Sequence, residues 1–258
     1  MILACVLAAP AALPAQGTAA PAAPAGAPLF TSRDGAVAAG ALAASALLSV
    51  FDKRIARFFL DTSLAHVRLG NRLDHTFTHA NETTLTAAGI LAYGVGRLTR
   101  SSTFTDVAFH ATEAIVGASL SAQVVRGPIG RSRPGVTGFQ DQYDFHWFRG
   151  FTSFDYRAFP SIHSGSAFAV ATVLVAETAR RRPAANWIVA PIAYGLALTP
   201  GLSRMYLGKH WASDIASGAA VGTLVGLKVV RYSHAHPGNR LDRTFLPRRA
   251  TAVGDGGR

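Results

Sequence analysis

Residues 203–230 read SRMYLGKHWASDIASGAAVGTLVGLKVV, a polar start running into an apolar stretch of small side chains. From Ala212 onward the stretch is rich in Ala, Gly and Leu and shows no strict alternation, so it reads as a helix rather than a strand. Small residues suit close helix–helix approach, as in membrane bundles. Five upstream segments share this character: approximately Gly35–Phe51, Thr83–Gly96, Val107–Val125, Gly165–Ala179 and Trp187–Leu202. Six such segments predict an all-α fold, a six-helix bundle.

Composition narrows the class. Hydrophobic residues make up 49% of the 258, charged residues 15%, and mean hydropathy is +0.24. Soluble domains carry about 25% charged residues, so the bundle reads as membrane-embedded, with a secreted soluble bundle as the alternative. Lengths pull the other way. A spanning helix needs about 20 apolar residues and at least about 17, which only Gly35–Phe51 and the uncharged run Ala184–Ser203 reach. His110 and Glu113 in the third segment and Glu177 in the fourth would be costly in lipid.

If the segments span, Arg97 and Arg100, Arg180 to Arg182, and Lys228 with Arg231 end three of them on one face. Positive charge favours the cytoplasm there. The long loops would then face the extracytoplasmic, periplasmic side; a soluble periplasmic protein remains the alternative. Lys53, Arg54 and Arg57 argue against this orientation, as does a cleaved N-terminal signal.

Both ends of the chain stand apart. Met1 to Gln16 resembles a signal peptide without its basic start, and Gly17 to Pro28 is an Ala/Pro spacer. The helical domain is expected over 29–232, followed by a basic, disordered tail over 233–258. Cys5 is the only cysteine, which excludes an intrachain disulfide framework and a Cys-based zinc cluster. Of the 25 basic residues, 22 are Arg, and the net charge is +11. Arg is a planar fork suited to phosphate oxygens. No nucleic-acid-binding module accompanies the charge, so the phosphate is sought elsewhere.

Three clusters could bind it, all on the long-loop face. Arg126, Arg131 and Arg133 crowd a Gly/Pro-rich loop; taken alone, they read as a positive membrane flank. Pro160 and Ser161 look like a helix start, where free N–H groups and the helix dipole attract anions; His163 lies just inside it. His210 and Asp214 are four apart at another helix start and share a face. Asp214 can accept the proton-bearing nitrogen of His210 and leave the other nitrogen basic, although a helix-stabilising contact has the same spacing.

Together these clusters resemble the type 2 phosphatidic acid phosphatase and vanadium haloperoxidase superfamily, whose signatures are K-x6-R-P, P-S-G-H and S-R-x5-H-x3-D. The third is complete as Ser203, Arg204, His210 and Asp214. The second is kept as Pro160, Ser161 and His163, with Ile162 in place of Gly. The first is kept as Arg133-Pro134, with Arg126 where the family has Lys. The resemblance covers roughly Thr83 to Val230 and implies the helical bundle of that family.

It also implies a metal-independent phosphatase, with no cofactor, acting on a phosphate monoester or diphosphate of a lipid. His210 would form a phosphohistidine, Asp214 would hold its ring, and His163 would serve as acid and then base. Arg126, Arg133, Ser161 and Arg204 would bind the phosphate. A vanadate-dependent haloperoxidase, a soluble periplasmic acid phosphatase and a lipid-binding protein with a relic pocket are the rival readings.

Two further features stand outside the signatures. Phe139 to Phe159 holds nine aromatics, read either as an interfacial lid for an acyl chain or as packing over the bundle mouth. His75-x3-His79-x2-Glu82 could line up three metal ligands, but a solvated helix face is the plainer reading, and no metal is expected there. Lys209 is expected to be exposed.

Overall fold

The computed structural model describes residues 30–61 and 79–246. The signal-like segment, the Ala/Pro spacer and His75 lie outside the described residues. Within them the six expected segments are all helices: α1 (Ser32–Ser49), α3 (Glu82–Leu98), α4 (Ser102–Ile129), α5 (Ile162–Arg181), α6 (Asn186–Tyr206) and α7 (Ala212–Ala235). Two shorter helices join them, α2 (Asp52–Asp61) and α8 (Arg240–Phe245). No strand occurs among the described residues, only one isolated bridge between Arg131 and Phe145.

Each main helix is longer than the apolar run that predicted it, and polar caps extend several of them. Thr31 and Asp34 form a reciprocal capping box on α1, and Asn81 accepts from the first turn of α3. Ser101 caps α4, which ends where Gly130 takes a left-handed conformation. The length objection to membrane crossing therefore weakens: α4 to α7 have 28, 20, 21 and 24 residues. Two helices are both long and apolar enough to cross a membrane, α5 and α7, and a third span results if the bent pair α1 and α2 counts as one. These are not the two segments that apolar length alone singled out: α1 counts only together with α2, and α6, which runs unbroken through Pro191 and Pro200, is not among them.

The tail expectation is corrected in part. Ser233 to Ala235 complete α7, and α8 docks on the bundle: Tyr93 Oη and Arg97 Nη1 donate to Phe245 O at 2.5 and 3.0 Å. The Phe245 ring stacks on Phe109. A six-residue helix has too few hydrogen bonds to persist alone; docking is what holds it. Residues 247–258 lie outside the described residues.

α5 is the hub, packed against α3, α4, α6 and α7. Its closest partner is α7, and small residues set the distance. Gly218, Gly222 and Gly226 fall four apart on one face of α7. A Cβ on Gly218 would overlap Ser161 O, one on Gly222 would overlap Gly165 O, and one on Gly226 would press Ala169 O at 2.9 Å. Backbones can approach this closely only where side chains are missing. The alanine-rich core beside the contact comprises Ala111, Ala114, Ala118, Ala169, Val173 and Val230.

The contact makes a clear prediction. Gly222→Ala must push α7 off α5 and lower stability by roughly 1–3 kcal/mol, the usual cost of overpacking, with loss of phosphate-ester turnover. Gly94→Ala, at a helical glycine with open space around it, should be neutral or slightly stabilising. Thermal unfolding of both variants in the same detergent compares them directly.

Candidate active site

The α5/α7 contact places the start of α5 against the start of α7. Ser161 caps α5 by accepting from Ser164 N at 3.4 Å, and its own N–H donates to Asp214 O at 3.0 Å. His163 stands in the first turn of α5; His210 lies just before α7. Their ring centroids are 6.3 Å apart at an interplanar angle of 60°. The charges of Arg204, Arg126 and Arg133 all act on His163, and those of Arg126 and Arg204 on His210. The three sequence clusters thus come together around one small volume. Ser161, His210, Asp214 and Arg126 are buried, whereas His163, Arg133 and Arg204 are half-buried at its mouth.

The histidine pair differs from expectation in one respect. His210 Nδ1 lies 2.8 Å from Ala158 O but 3.7 Å from Asp214 Oδ2. A carbonyl can only accept, so Nδ1 carries the proton and Nε2 keeps its lone pair. The orienting acceptor is therefore a backbone carbonyl, and Asp214 acts on the ring through its charge. Asp214 is itself held at both oxygens: Trp211 N donates to Oδ2 at 2.7 Å, and Arg131 Nη1 to Oδ1 at 2.6 Å.

Arg131 is likewise not part of an anion clamp. Only 2% exposed, it turns inward and pairs with Asp52 Oδ2 at 2.8 Å as well as with Asp214. Asp52, the first residue of α2, also accepts from Ser213 N at 2.9 Å and from Ser213 Oγ. Trp211 closes the network by donating Nε1–H to Ser132 O at 3.0 Å. Asp52 and Ala158 were invisible to motif reading: one sits far away in sequence, and the other contributes only backbone.

The remaining arginines retain binding capacity. Arg126 Nη2 donates to Arg157 O, yet its Nε and that of Arg133 are buried with no hydrogen-bond partner among the described residues. Buried donors left open cost free energy unless something accepts from them, and a multi-oxygen anion is a fitting acceptor. Ile162 is fully buried, and Lys209 is exposed as expected. The charge of Glu82 acts on Arg126; His75, which the metal reading pairs with it, lies outside the described residues.

The chain is similar to known proteins in sequence and in fold. The sequence model of the PAP2 superfamily matches residues 107–237. A lipid A 1-phosphatase of Porphyromonas gingivalis is 44% identical over 69 residues, which is 27% of this chain and 15% of that protein. The crystal structure of a transmembrane PAP2 type phosphatidylglycerolphosphate phosphatase from Bacillus subtilis superposes with a TM-score of 0.59. It covers 81% of this chain and 99% of that one, at 21% identity.

Burial holds the His210 pKa below its ordinary 6.5; Arg126 and Arg204 lower it further, while Asp214 opposes them. The stability linked to this ring is intact above pH 6.5 and is lost as pH falls toward the depressed folded value. Once corrected for the substrate's own second ionisation, the acid limb of kcat/KM should lie below pH 6.5. Asp214→Asn removes the opposing charge and should shift that limb further down; a limb that stays fixed would show that another group titrates.

Proposed function

The chain belongs to the PAP2 superfamily, and from that membership we propose that it is a phosphoric ester hydrolase, a metal-independent phosphatase acting on a lipid phosphate monoester or diphosphate. The observation that carries the reading is the pairing of His163 and His210, 6.3 Å apart under a roof of arginines. That spacing leaves room for one phosphorus between the rings, where reacting atoms need to approach to about 3–3.5 Å.

His210 Nε2 attacks phosphorus and forms a phosphohistidine. As positive charge grows on the ring, Ala158 O and the Asp214 carboxylate stabilise it. His163 donates a proton to the leaving alkoxide and then takes one from the attacking water. Arg126, Arg133 and Arg204 meet the charge that spreads over the equatorial oxygens, which is where fixed cations lower the barrier most. Ser161, as the α5 cap, turns that helix start toward the phosphate.

The setting supports a lipid substrate. α5 and α7 are apolar enough to span a membrane, and both begin at the site, so the site lies at one membrane surface. We place it on the extracytoplasmic side, because Arg97, Arg181 and Lys228 collect at the opposite end of the bundle. The aromatic segment favours the same reading. Trp147, Phe148 and Phe154 are 71, 65 and 70% exposed, which leaves those rings open to lipid, while Phe151 packs against Gly127 at the end of α4. Arg149 and Arg157 brace the segment by lying over the Tyr156 and Phe154 rings. Aromatics held outward beside a phosphate site suit the headgroup region of a bilayer.

Phosphate release from a lipid panel by purified protein tests the assignment. His210→Ala should abolish turnover. His163→Ala should slow alkyl esters by about 10²–10⁴, the usual worth of general acid catalysis, and aryl phosphates far less. Equal losses on both would remove His163 from the acid role, and vanadate- and peroxide-dependent halogenation would replace the phosphatase reading altogether.

Replacing Trp147 and Phe154 by Ala should raise KM for a lipid phosphate in vesicles about tenfold or more, as expected from the loss of two buried aromatic contacts. Turnover of a water-soluble aryl phosphate should hardly change. Parallel losses on both substrates would mean that the segment serves the site itself, not lipid capture.

A further inference from the structure

At the end of the bundle opposite His210, α4, α5, α7 and α8 enclose a polar cluster that the phosphoryl chemistry does not use. At a rise of about 1.5 Å per residue, Glu177 lies about 21 Å along α5 from His163, and His234 about 30 Å along α7 from Asp214. The centre of the cluster is His110, only 2% exposed. Its Nδ1 lies 3.5 Å from Glu177 Oε1 and its Nε2 3.7 Å from Asp242 Oδ1, and neither nitrogen makes a hydrogen bond. Glu113 Oε2 and Asp242 Oδ1 are also buried without a hydrogen-bond partner among the described residues. One donor atom each from His110, Glu113 and Asp242 fall within 4.8 Å of one another.

Buried atoms that make no hydrogen bond among the described residues, and are held only by ion pairs at 3.5 and 3.7 Å, leave room for a ligand. The charges say which sort. Asp106, Glu113, Glu177 and Asp242 bring carboxylates together, and Arg181 is the fixed cation among them, paired with Glu177 at 2.9 Å and with Asp106 at 3.5 Å. His234 Nε2 lies 2.8 Å from Glu177 Oε1. With both histidines neutral, the four carboxylates outnumber Arg181 among these residues.

We propose that His110, Glu113 and Asp242 form a binding site for a divalent cation of the zinc class. His110 and Glu113, three apart on α4, present their donors on one helix face, and Asp242 supplies the third from α8. A ring and two carboxylates with one position left open are donors that suit zinc. Two ligands held at about 2.0–2.1 Å by one tetrahedral ion stand about 3.3 Å apart, so the Nε2 to Asp242 distance needs only slight closure. With Nε2 on the metal, Nδ1–H points at Glu177. A ligating histidine almost always has such a carboxylate or carbonyl behind it. A cavity of about 330 Å³ lined by Ser102, Asp106, Arg180, Arg181 and His234 opens at the same end of the bundle. Bound there, the cation pins the short helix α8 to α4.

Zinc titration of the full chain in detergent, after stripping with a chelator, tests the site. We expect one zinc retained per chain by elemental analysis, visible absorption from tetrahedral Co²⁺ in its place, and a zinc-dependent rise in Tm. Glu113→Gln and Asp242→Asn should each lower zinc affinity at least tenfold and abolish that rise. Asp242→Asn also alters the short helix α8, so Glu113→Gln, within α4, keeps the test decisive. His210→Ala should bind zinc as the parent does, and Glu113→Gln should keep phosphate release within about twofold, which separates this site from the phosphatase reading. Substoichiometric zinc, unchanged affinity in both carboxylate variants, or loss of zinc with His210→Ala would overturn the proposal.

Discussion

The approach of α7 to α5 across Gly218, Gly222 and Gly226 is the constraint on which the rest depends. Neither helix start is a site by itself. One offers a serine cap and a half-buried histidine, the other a carboxylate three residues inside a helix. Contact at backbone distance makes Ser161 N a donor to Asp214 O, and from that bond outward the two histidine rings are fixed in relation to each other. The helix axis transmits this register well, because an α-helix cannot lengthen without breaking its hydrogen-bond ladder. A larger residue at Gly222 would act at a distance, through the angle and height of a whole helix.

The second constraint is electrostatic. Buried carboxylates are tolerated only when paired and hydrogen-bonded, and Asp214 is held by a backbone N–H and by Arg131. Arg131 in turn needs Asp52, and Asp52 needs Ser213. The chain of contacts returns to α7 one residue from where it started. Such a closed ring leaves the carboxylate no other rotamer in which its partners stay satisfied. Its negative charge therefore stays beside His210 even though the ring's proton is given to Ala158 O. One group supplies direction and another supplies field, and neither has to compromise for the other.

The bundle was legible in the sequence because its helices are apolar runs of small residues, and small residues leave little else for such runs to be. The site was legible because its side chains lie at helix starts, where spacing along the chain maps directly onto a shared face. His210 and Asp214 could be read in this way, as could Ser161 with His163, whereas Arg204 sits in the last turn of α6 and was read from the signature alone. What escaped the reading escaped for physical reasons. Ala158 acts through a carbonyl that every residue possesses. Asp52 reaches the site from α2 only because α1 runs antiparallel to α7, a relation set by packing and not by spacing. The inward turn of Arg131, flanked by two arginines that remain beside the phosphate site, depends on which carboxylates the fold delivers to it. α8 is a helix only while it is docked, so no local pattern could announce it.

The two ends of the bundle are opposites in chemistry, and this follows from the same architecture. α4 carries Arg126 at one end and His110 with Glu113 at the other; α5 carries His163 and Glu177; α7 carries Asp214 and His234. Where α4 and α5 end beside the phosphate site they contribute cations and a histidine, so an anion is drawn in. Where they end beside α8 they contribute carboxylates and a histidine, so a cation is. Alanine and glycine fill most of the length between, with neutral hydroxyl pairs such as Ser119–Ser166 and Thr172–Tyr194 and no charge to link the two ends. A disturbance of the carboxylate end therefore reaches the phosphate site only by tilting α4 or α5. For α5, such a tilt must first open the glycine contact with α7.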